Sequence, residues 1–165
     1  ESGSLSLTIE KISVLAVMQE IIGKIDLLPW AGRVQHTPLE DLNDYKSIVL
    51  EVNCERLVQC LLNVLENAAK YSSESSPINL NLQLSDGTVF FDIRDQGCGI
   101  SAAEQEKIFK PFFRGVDGSE YAQGSGVGLA LVAQLVALMN GKIYVSESST
   151  SGTLMRFEFQ CASSD

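Results

Sequence analysis

A polar stripe between Asn63 and Tyr71 combines side chains whose types and spacing could do chemistry. On a helical wheel at about 100° per residue, Asn67, Lys70 and Tyr71 fall within about 80° of Asn63. Asparagine is unfavourable in the middle of a helix, so two of them four residues apart favour amide oxygens that ligate a hard cation such as Mg²⁺. A solvated face of an amphipathic helix is the alternative.

A second group, Asp95-Gln96-Gly97-Cys98-Gly99-Ile100, directly follows an alternating apolar segment. Asp95 has the strand parity of the apolar residues before it, so its carboxylate points to the apolar side, where it needs a hydrogen-bond donor. That donor is either a backbone N–H of the turn or the exocyclic amine of a ligand. Gly97 and Gly99 allow close backbone approach in both cases.

A third group contains three phenylalanines and an arginine, in Phe109-Lys110-Pro111-Phe112-Phe113-Arg114. Clustered aromatic residues are typical of a core. Arg114, which precedes a glycine, is alternatively a phosphate contact, because guanidinium pairs well with phosphoryl oxygens.

A fourth group, Gly124-Ser125-Gly126-Val127-Gly128-Leu129, opens an apolar helical segment. Three alternating glycines there would expose backbone N–H groups and the positive end of the helix dipole, which together favour an anion. The spacing matches neither the dinucleotide-binding glycine pattern nor the phosphate loop that ends in Lys-Ser/Thr.

Composition limits the class of partner. The 165 residues carry 12 Lys and Arg against 21 Asp and Glu, a net charge of −9. This length suits one domain, and the acidic balance disfavours nucleic acid or an anionic membrane as a partner. Any phosphate must therefore be held by local geometry. The four cysteines are widely spaced, which favours a reducing, cytoplasmic location over a disulfide framework.

The elements that must position these groups follow from periodicity and from Gly and Pro positions. We predict one amphipathic helix over 9–28, a buried helix over 127–140 with Gly141 at its C′ position, and a short helical stretch at 102–108. Asn53 is a good N-cap for a helix over 54–71. Strands 78–84 and 89–93 alternate around Asp86-Gly87 as a hairpin. Further strands are expected at 33–37, 47–52, 142–146 and 153–160.

In this order and spacing, the four groups resemble the N, G1, F and G2 boxes of the histidine-kinase ATP-binding domain. Its superfamily also includes DNA gyrase, heat-shock chaperone and mismatch-repair ATPases. Ser151-Gly152-Thr153 is similar to the last glycine motif of that family, and the resemblance covers roughly residues 10–160. It implies an α/β two-layer sandwich, with a mixed, mainly antiparallel sheet, helices on one face and a mobile ATP lid over about 111–124.

The resemblance also implies roles for individual residues. Asp95 would accept from the adenine amino group, and Tyr71 would lie by the adenine or ribose. Asn67 and Asn63 would act at Mg²⁺, while Lys70 and Arg114 would reach phosphate oxygens. Glu66 is a candidate general base for the acceptor imidazole, the alternative being a solvated helix acid. The other residues expected around the nucleotide are Gly97, Gly99, Ile100, Phe109, Gly124, Ser125, Gly126, Val127, Gly128, Leu129 and Thr153.

The reaction implied is transfer of the γ-phosphoryl group of ATP to a histidine on a separate dimerisation domain, and then to a response regulator. His36 only weakly resembles the acceptor, because the residue directly after it is not acidic and it lies too close to Asn63 for a helical hairpin to intervene. Alternatives are a nucleotide-binding module without transfer activity and an anti-sigma serine kinase. Intact Asn67 and Asp95 disfavour the first.

The chain opens without an initiator methionine or a signal-peptide pattern, which favours an excised piece of a longer protein. We expect residues 1–8 to be a flexible remnant, 9–160 the ATP-binding domain and 161–165 a tail. The isolated domain is expected to be monomeric and its parent a homodimer.

Overall fold

The computed structural model describes residues 6–113 and 127–163. Most of the predicted lid therefore lies outside the described residues. The described part forms three α-helices, α1 (Val14–Ile25), α2 (Cys54–Tyr71) and α3 (Val127–Leu138). It also forms seven strands: β1 (Glu10–Ser13), β2 (Val34–His36), β3 (Val49–Val52), β4 (Ile78–Ser85), β5 (Thr88–Arg94), β6 (Lys142–Ser149) and β7 (Gly152–Gln160).

Five strands form one mixed sheet in the order β2-β4-β5-β7-β6. The β2–β4 pair is parallel and the other three pairs are antiparallel. The outer strand β6 carries an irregularity between Val145 and Glu147. Strands β1 and β3 form a separate antiparallel pair, and beyond β7 the N–H of Ala162 donates to the carbonyl of Val49 at 2.7 Å.

The predicted hairpin is confirmed. Asp86 and Gly87 both have positive φ, 48° and 74°, which matches the right-handed twist of the strands they join. Alternation along β4 and β5 then places one apolar set, including Leu80 and Phe91, on the buried face.

The core lies between that face of the sheet and the helices. Phe91 of β5 is opposite Phe157 of β7, and α2 contributes Leu57, Leu61 and Leu65, all without exposed surface. The opposite face of the sheet is polar, and Arg156 there holds Asp92 through two hydrogen bonds of 2.7 Å. The structure thus has the predicted two layers, with a mainly antiparallel sheet and helices on one face.

The prediction of a single helix over 9–28 is wrong at its start. Residues Glu10–Ser13 form β1, in which Ile12 is opposite Leu50 of β3. Helix α1 begins only at Val14, because the Ser13 hydroxyl accepts from the N–H of Ala16 at 3.1 Å and caps the helix. Residues 10–13 have an apolar spacing that is compatible with a helix, but they pair with β3 and form a strand instead.

Two predictions about α3 also need correction. Leu138 is 45% exposed, so the helix, predicted to be buried, is buried on one side only. The left-handed residue after the helix is Asn140, with φ 57°, and not Gly141. A side chain at Gly141 would meet the ring of Phe159, so this glycine is required for packing.

The predicted helical stretch at 102–108 consists of turns over 102–106 and the start of a short 3₁₀ helix, Lys107–Phe109. Across 6–113 and 127–163, no helix combines the length and the apolar character needed to cross a membrane.

Candidate functional site

Helix α2 positions the first group of polar side chains. Asn53 caps it as predicted, since its side-chain oxygen accepts from the N–H of Arg56 at 3.0 Å. The apolar arc of α2 faces the core, which leaves Asn63 and Asn67 half-buried and Lys70 exposed. The Lys70 ammonium lies 5.4 Å from the ring centroid of Tyr71, within cation–π range.

The start of α3 lies next to this stripe. A Cβ atom placed on Gly128 would be 3.9 Å from the side-chain oxygen of Asn63. The structure therefore brings an amide oxygen of the first group to the N-terminal turn of α3, where backbone N–H groups have no intrahelical partner. Leu129, in the same turn, is half-buried against the core.

Asp95 follows β5 and lies at the end of the sheet. Its Oδ1 accepts from the N–H of Gly97 at 2.7 Å, and its own N–H donates to the carbonyl of Thr153 at 3.0 Å. Burial raises the pKa of Asp95 above its ordinary value, and hydrogen bonds from the Gly97 and Thr153 backbone act in the opposite direction. The turn thus supplies a donor to the carboxylate, one of the two alternatives left open by the sequence.

At Gly97 the turn that follows Asp95 packs against the end of α2. A Cβ atom at Gly97 would be 2.6 Å from the carbonyl oxygen of Tyr71 and 3.0 Å from Asp95 Oδ1. Only a glycine permits this approach, because real Cβ atoms do not come so close to a backbone oxygen. Tyr71, Asp95 and Gly97 are therefore neighbours, as expected for one site.

Ser148 is a site neighbour that the sequence did not indicate. Its hydroxyl accepts from the N–H of Ile100 at 2.7 Å and lies 3.1 Å from the Thr153 hydroxyl. The paired ends of β6 and β7 are in this way attached to the loop that follows Asp95. Gly99 adopts φ 80° beside the backbone of Ser149, which extends the same contact.

Glu66 and Lys70 line a cleft of about 570 Å³ on the flank of α2 that faces Trp30. Its remaining lining residues are Pro29, Trp30, Gly32, Arg33, Ala69 and Glu74. The polar face of α2 is thus divided, with the Asn63 side chain toward α3 and Glu66 toward Trp30.

The third group is divided between the core and the surface. Phe109 is half-buried against the core, whereas Phe112 is 78% exposed and has a positive φ of 60°. Arg114 and Gly124, Ser125 and Gly126 lie outside the described residues.

Comparison with protein families decides the class. Residues 53–163, more than half of the chain, match the family model described as "Histidine kinase-, DNA gyrase B-, and HSP90-like ATPase". The chain belongs to this ATPase family. The matched range includes all four groups of candidate site residues, so the resemblance inferred from those groups is confirmed.

Relatives of this ATPase-family chain include sensor kinases. It is 31% identical to the signal transduction histidine-protein kinase ArlS of Staphylococcus epidermidis, over 94% of the chain and 40% of that protein. It is 30% identical to the sensor histidine kinase GlrK of Escherichia coli, over 87% of the chain and 30% of that protein. The chain thus spans less than half the length of either relative.

Solved structures share the fold of this ATPase-family chain. A mycobacterial sensor histidine kinase, MprB, superposes with a TM-score of 0.70 at 27% identity, over 95% of this chain and 100% of that one. Full-length ShkA, solved in complex with AMPPNP, gives a TM-score of 0.75 at 24% identity, over 98% of this chain and 33% of that one.

Proposed function

We propose that this chain binds Mg-ATP and donates the γ-phosphoryl group to a histidine on a separate phosphoacceptor domain, as part of two-component signalling. The observation that carries the proposal is the convergence of three distant segments. Tyr71 of α2 meets Gly97 of the Asp95 turn, and Asn63 of α2 meets Gly128 of α3. Family membership and relatives named as sensor histidine kinases support it.

At the end of the site that binds adenine, Asp95 accepts a hydrogen bond from the adenine amino group. Its Oδ1 is oriented by the N–H of Gly97, which fixes the carboxylate before a ligand arrives. Preorganised polar groups of this kind bind without a reorganisation cost. The Tyr71 backbone packs on Gly97 of the same turn, and its side chain contacts the adenine or ribose, while Gly99, Ile100 and Thr153 form the wall behind the base.

At the phosphate end, the donor set suits Mg²⁺. Asn63 and Asn67 offer neutral amide oxygens, which a hard cation accepts together with phosphate oxygens and water. The Asn63 oxygen faces the first turn of α3, whose backbone N–H groups would donate to phosphate oxygens. When bound, the ion neutralises phosphate charge, and Lys70 and Arg114 add positive charge at the same oxygens.

For the transfer step, Glu66 is the residue we assign as general base. It is exposed on the cleft side of α2, one residue before Asn67. From there it would take the proton of the acceptor imidazole as the γ-phosphoryl group moves to the ring nitrogen. Catalysis would rest mainly on positioning and charge neutralisation.

The acceptor histidine and the response regulator are partners of the whole protein. We place the acceptor outside 1–165, and we propose that the parent kinase is a homodimer whose ATP-binding domain works in the cytoplasm, where ATP is supplied. Nucleic acid is not proposed as a partner, because the net charge is −9.

The test is phosphoryl transfer from radiolabelled ATP by the full-length protein that contains this chain. Acid-labile, base-stable label on the acceptor domain is the expected result. Acid-stable label on a serine would instead indicate a serine kinase. ATP binding without any label would indicate a regulatory nucleotide-binding module, and either outcome would overturn the proposal.

Binding itself is tested on Asp95. Asp95→Asn keeps the size of the side chain but replaces an acceptor with a donor that repels the adenine amino group. We expect a loss of ATP affinity of at least tenfold by calorimetry, about 1.4 kcal/mol. Asp86→Asn, in the hairpin turn far along β5, is the matched control and should bind normally.

A further inference from the structure

Arg33 makes an unusual set of contacts with the end of α2. It lies in a 3₁₀ turn, Ala31–Arg33, just before β2. Its guanidinium donates from Nη1 to the carbonyl of Ala69 at 2.9 Å, from Nη2 to the hydroxyl of Ser72 at 2.7 Å, and from Nε to the carbonyl of Ser76 at 3.0 Å. One side chain thus holds both the last turn of the helix and the segment that leaves it.

These contacts replace an ordinary helix cap. The last carbonyls of a helix lack partners, and a glycine in left-handed conformation commonly supplies them. Helix α2 instead ends at Ser72 with extended backbone, φ −119° and ψ 163°. The Ser72 hydroxyl donates to the carbonyl of Ala68 at 2.5 Å, and Arg33 serves the next carbonyl. The positive charge of a guanidinium at this end also interacts favourably with the negative end of the helix dipole.

The turn that Arg33 holds carries site residues. Lys70 and Tyr71 are the last two residues of α2, directly after Ala69. On the opposite side, the Tyr71 carbonyl is packed so closely on Gly97 that no Cβ fits between them. The end of α2 is therefore fixed from one side by Arg33 and from the other by the turn that orients Asp95.

We propose that Arg33 is a positioning residue for the nucleotide site: it fixes the last turn of α2, and through it Tyr71 and Lys70, against the Asp95–Gly97 turn. The inference rests on the proposed ATP site. In this scheme Arg33 acts through α2 and not on the ligand, because each nitrogen of its guanidinium donates to α2 or to the segment after it.

The experiment compares Arg33→Lys and Arg33→Gln with Arg56→Gln by calorimetric titration of ATP. Arg56 is a matched control, since it lies on the same helix but donates to Gln59 within that helix. We expect Arg33→Gln to weaken ATP binding about tenfold, because small displacements of positioning groups have large effects on a site. Arg33→Lys should recover part of the affinity, since it keeps the charge but not the fork of donors. Arg56→Gln should bind as the wild type does.

Each variant is titrated well below its own midpoint of thermal unfolding, with folding monitored through Trp30, the single tryptophan of the chain. A lower midpoint with unchanged ATP affinity would show a purely structural arginine and overturn the inference. Ser72→Ala provides a milder perturbation of the same cap, and it should weaken binding in the same direction. If the wild-type chain binds no ATP, the proposed function fails; if it binds ATP and the Arg33 variants bind equally well, only the role of Arg33 fails.

Discussion

Gly97→Ala should damage both the fold and the nucleotide site, by an amount that follows from one distance. The added Cβ would be 2.6 Å from the Tyr71 carbonyl oxygen, whereas ordinary contacts begin at about 3.4 Å. The backbone must separate by several tenths of an ångström. Forced overpacking costs about 1–3 kcal/mol, and the smaller entropy of the unfolded alanine chain returns about 0.4–1 kcal/mol. We expect a net loss of about 1–2 kcal/mol in the free energy of unfolding.

Urea unfolding at 25 °C measures that loss, and ATP titration measures its effect on the site. Separation of Gly97 from Tyr71 also disturbs the 2.7 Å bond to Asp95, so ATP affinity should fall with stability. Gly23→Ala is the matched control, because nothing lies within 4 Å of its Cβ position and alanine favours the interior of α1 by about 1 kcal/mol. A Gly97→Ala protein with wild-type stability and ATP affinity would refute the reasoning.

Three further predictions concern the carboxylates of Asp95 and Asp92 and the Ser148 hydroxyl of β6. Burial raises the pKa of Asp95, so the carboxylate that accepts from adenine is lost on acidification at a higher pH than for an ordinary aspartate. The ATP affinity of the wild type should fall in that pH range. Dividing it by the ATP affinity of Asp95→Asn cancels the titration of ATP itself, and this ratio should fall as well. A ratio that stays constant with pH would contradict the role of Asp95. Asp92→Asn leaves the Arg156 guanidinium beside a neutral amide. Because Asp92 is only 3% exposed, we expect the free energy of unfolding, measured with urea, to fall by about 3 kcal/mol. A fall of less than about 1 kcal/mol would contradict this expectation. Ser148→Ala removes the acceptor of the Ile100 N–H and should cost about 1 kcal/mol while speeding amide exchange at Ile100; unchanged exchange would show that the bond is unimportant.

Features set by neighbours along the chain were predictable from the sequence. The hairpin depends on alternation and on the left-handed turn at Asp86 and Gly87, both of which are local. Helix α2 has a capping Asn53 and a clear division between apolar and polar arcs. Strand parity predicted that Asp95 points to the apolar side, and in the structure this residue is half-buried.

Features set by distant contacts were not predictable. Strand β1 exists because β3 offers it an edge, and residues 10–13 have no local pattern that separates a strand from a helix. Gly141 is needed because of a ring that lies on β7, not because of the helix end beside it. Ser148 and Arg33 act across long stretches of chain, and a single sequence carries no signal for such partners. The division of the α2 stripe, with Glu66 on the side of Trp30, likewise depends on what packs against each flank.

The two edge strands of the five-stranded sheet affect whether copies of this domain associate with each other. One edge, β2, is only three residues long, and the other, β6, is interrupted between Val145 and Glu147. Short or bulged edges resist pairing with the strands of another molecule. In the homodimeric parent proposed above, two copies tethered together would meet at millimolar effective concentration. Because neither edge favours strand pairing, two copies held this close together would not associate through their sheets, and each would bind its own nucleotide.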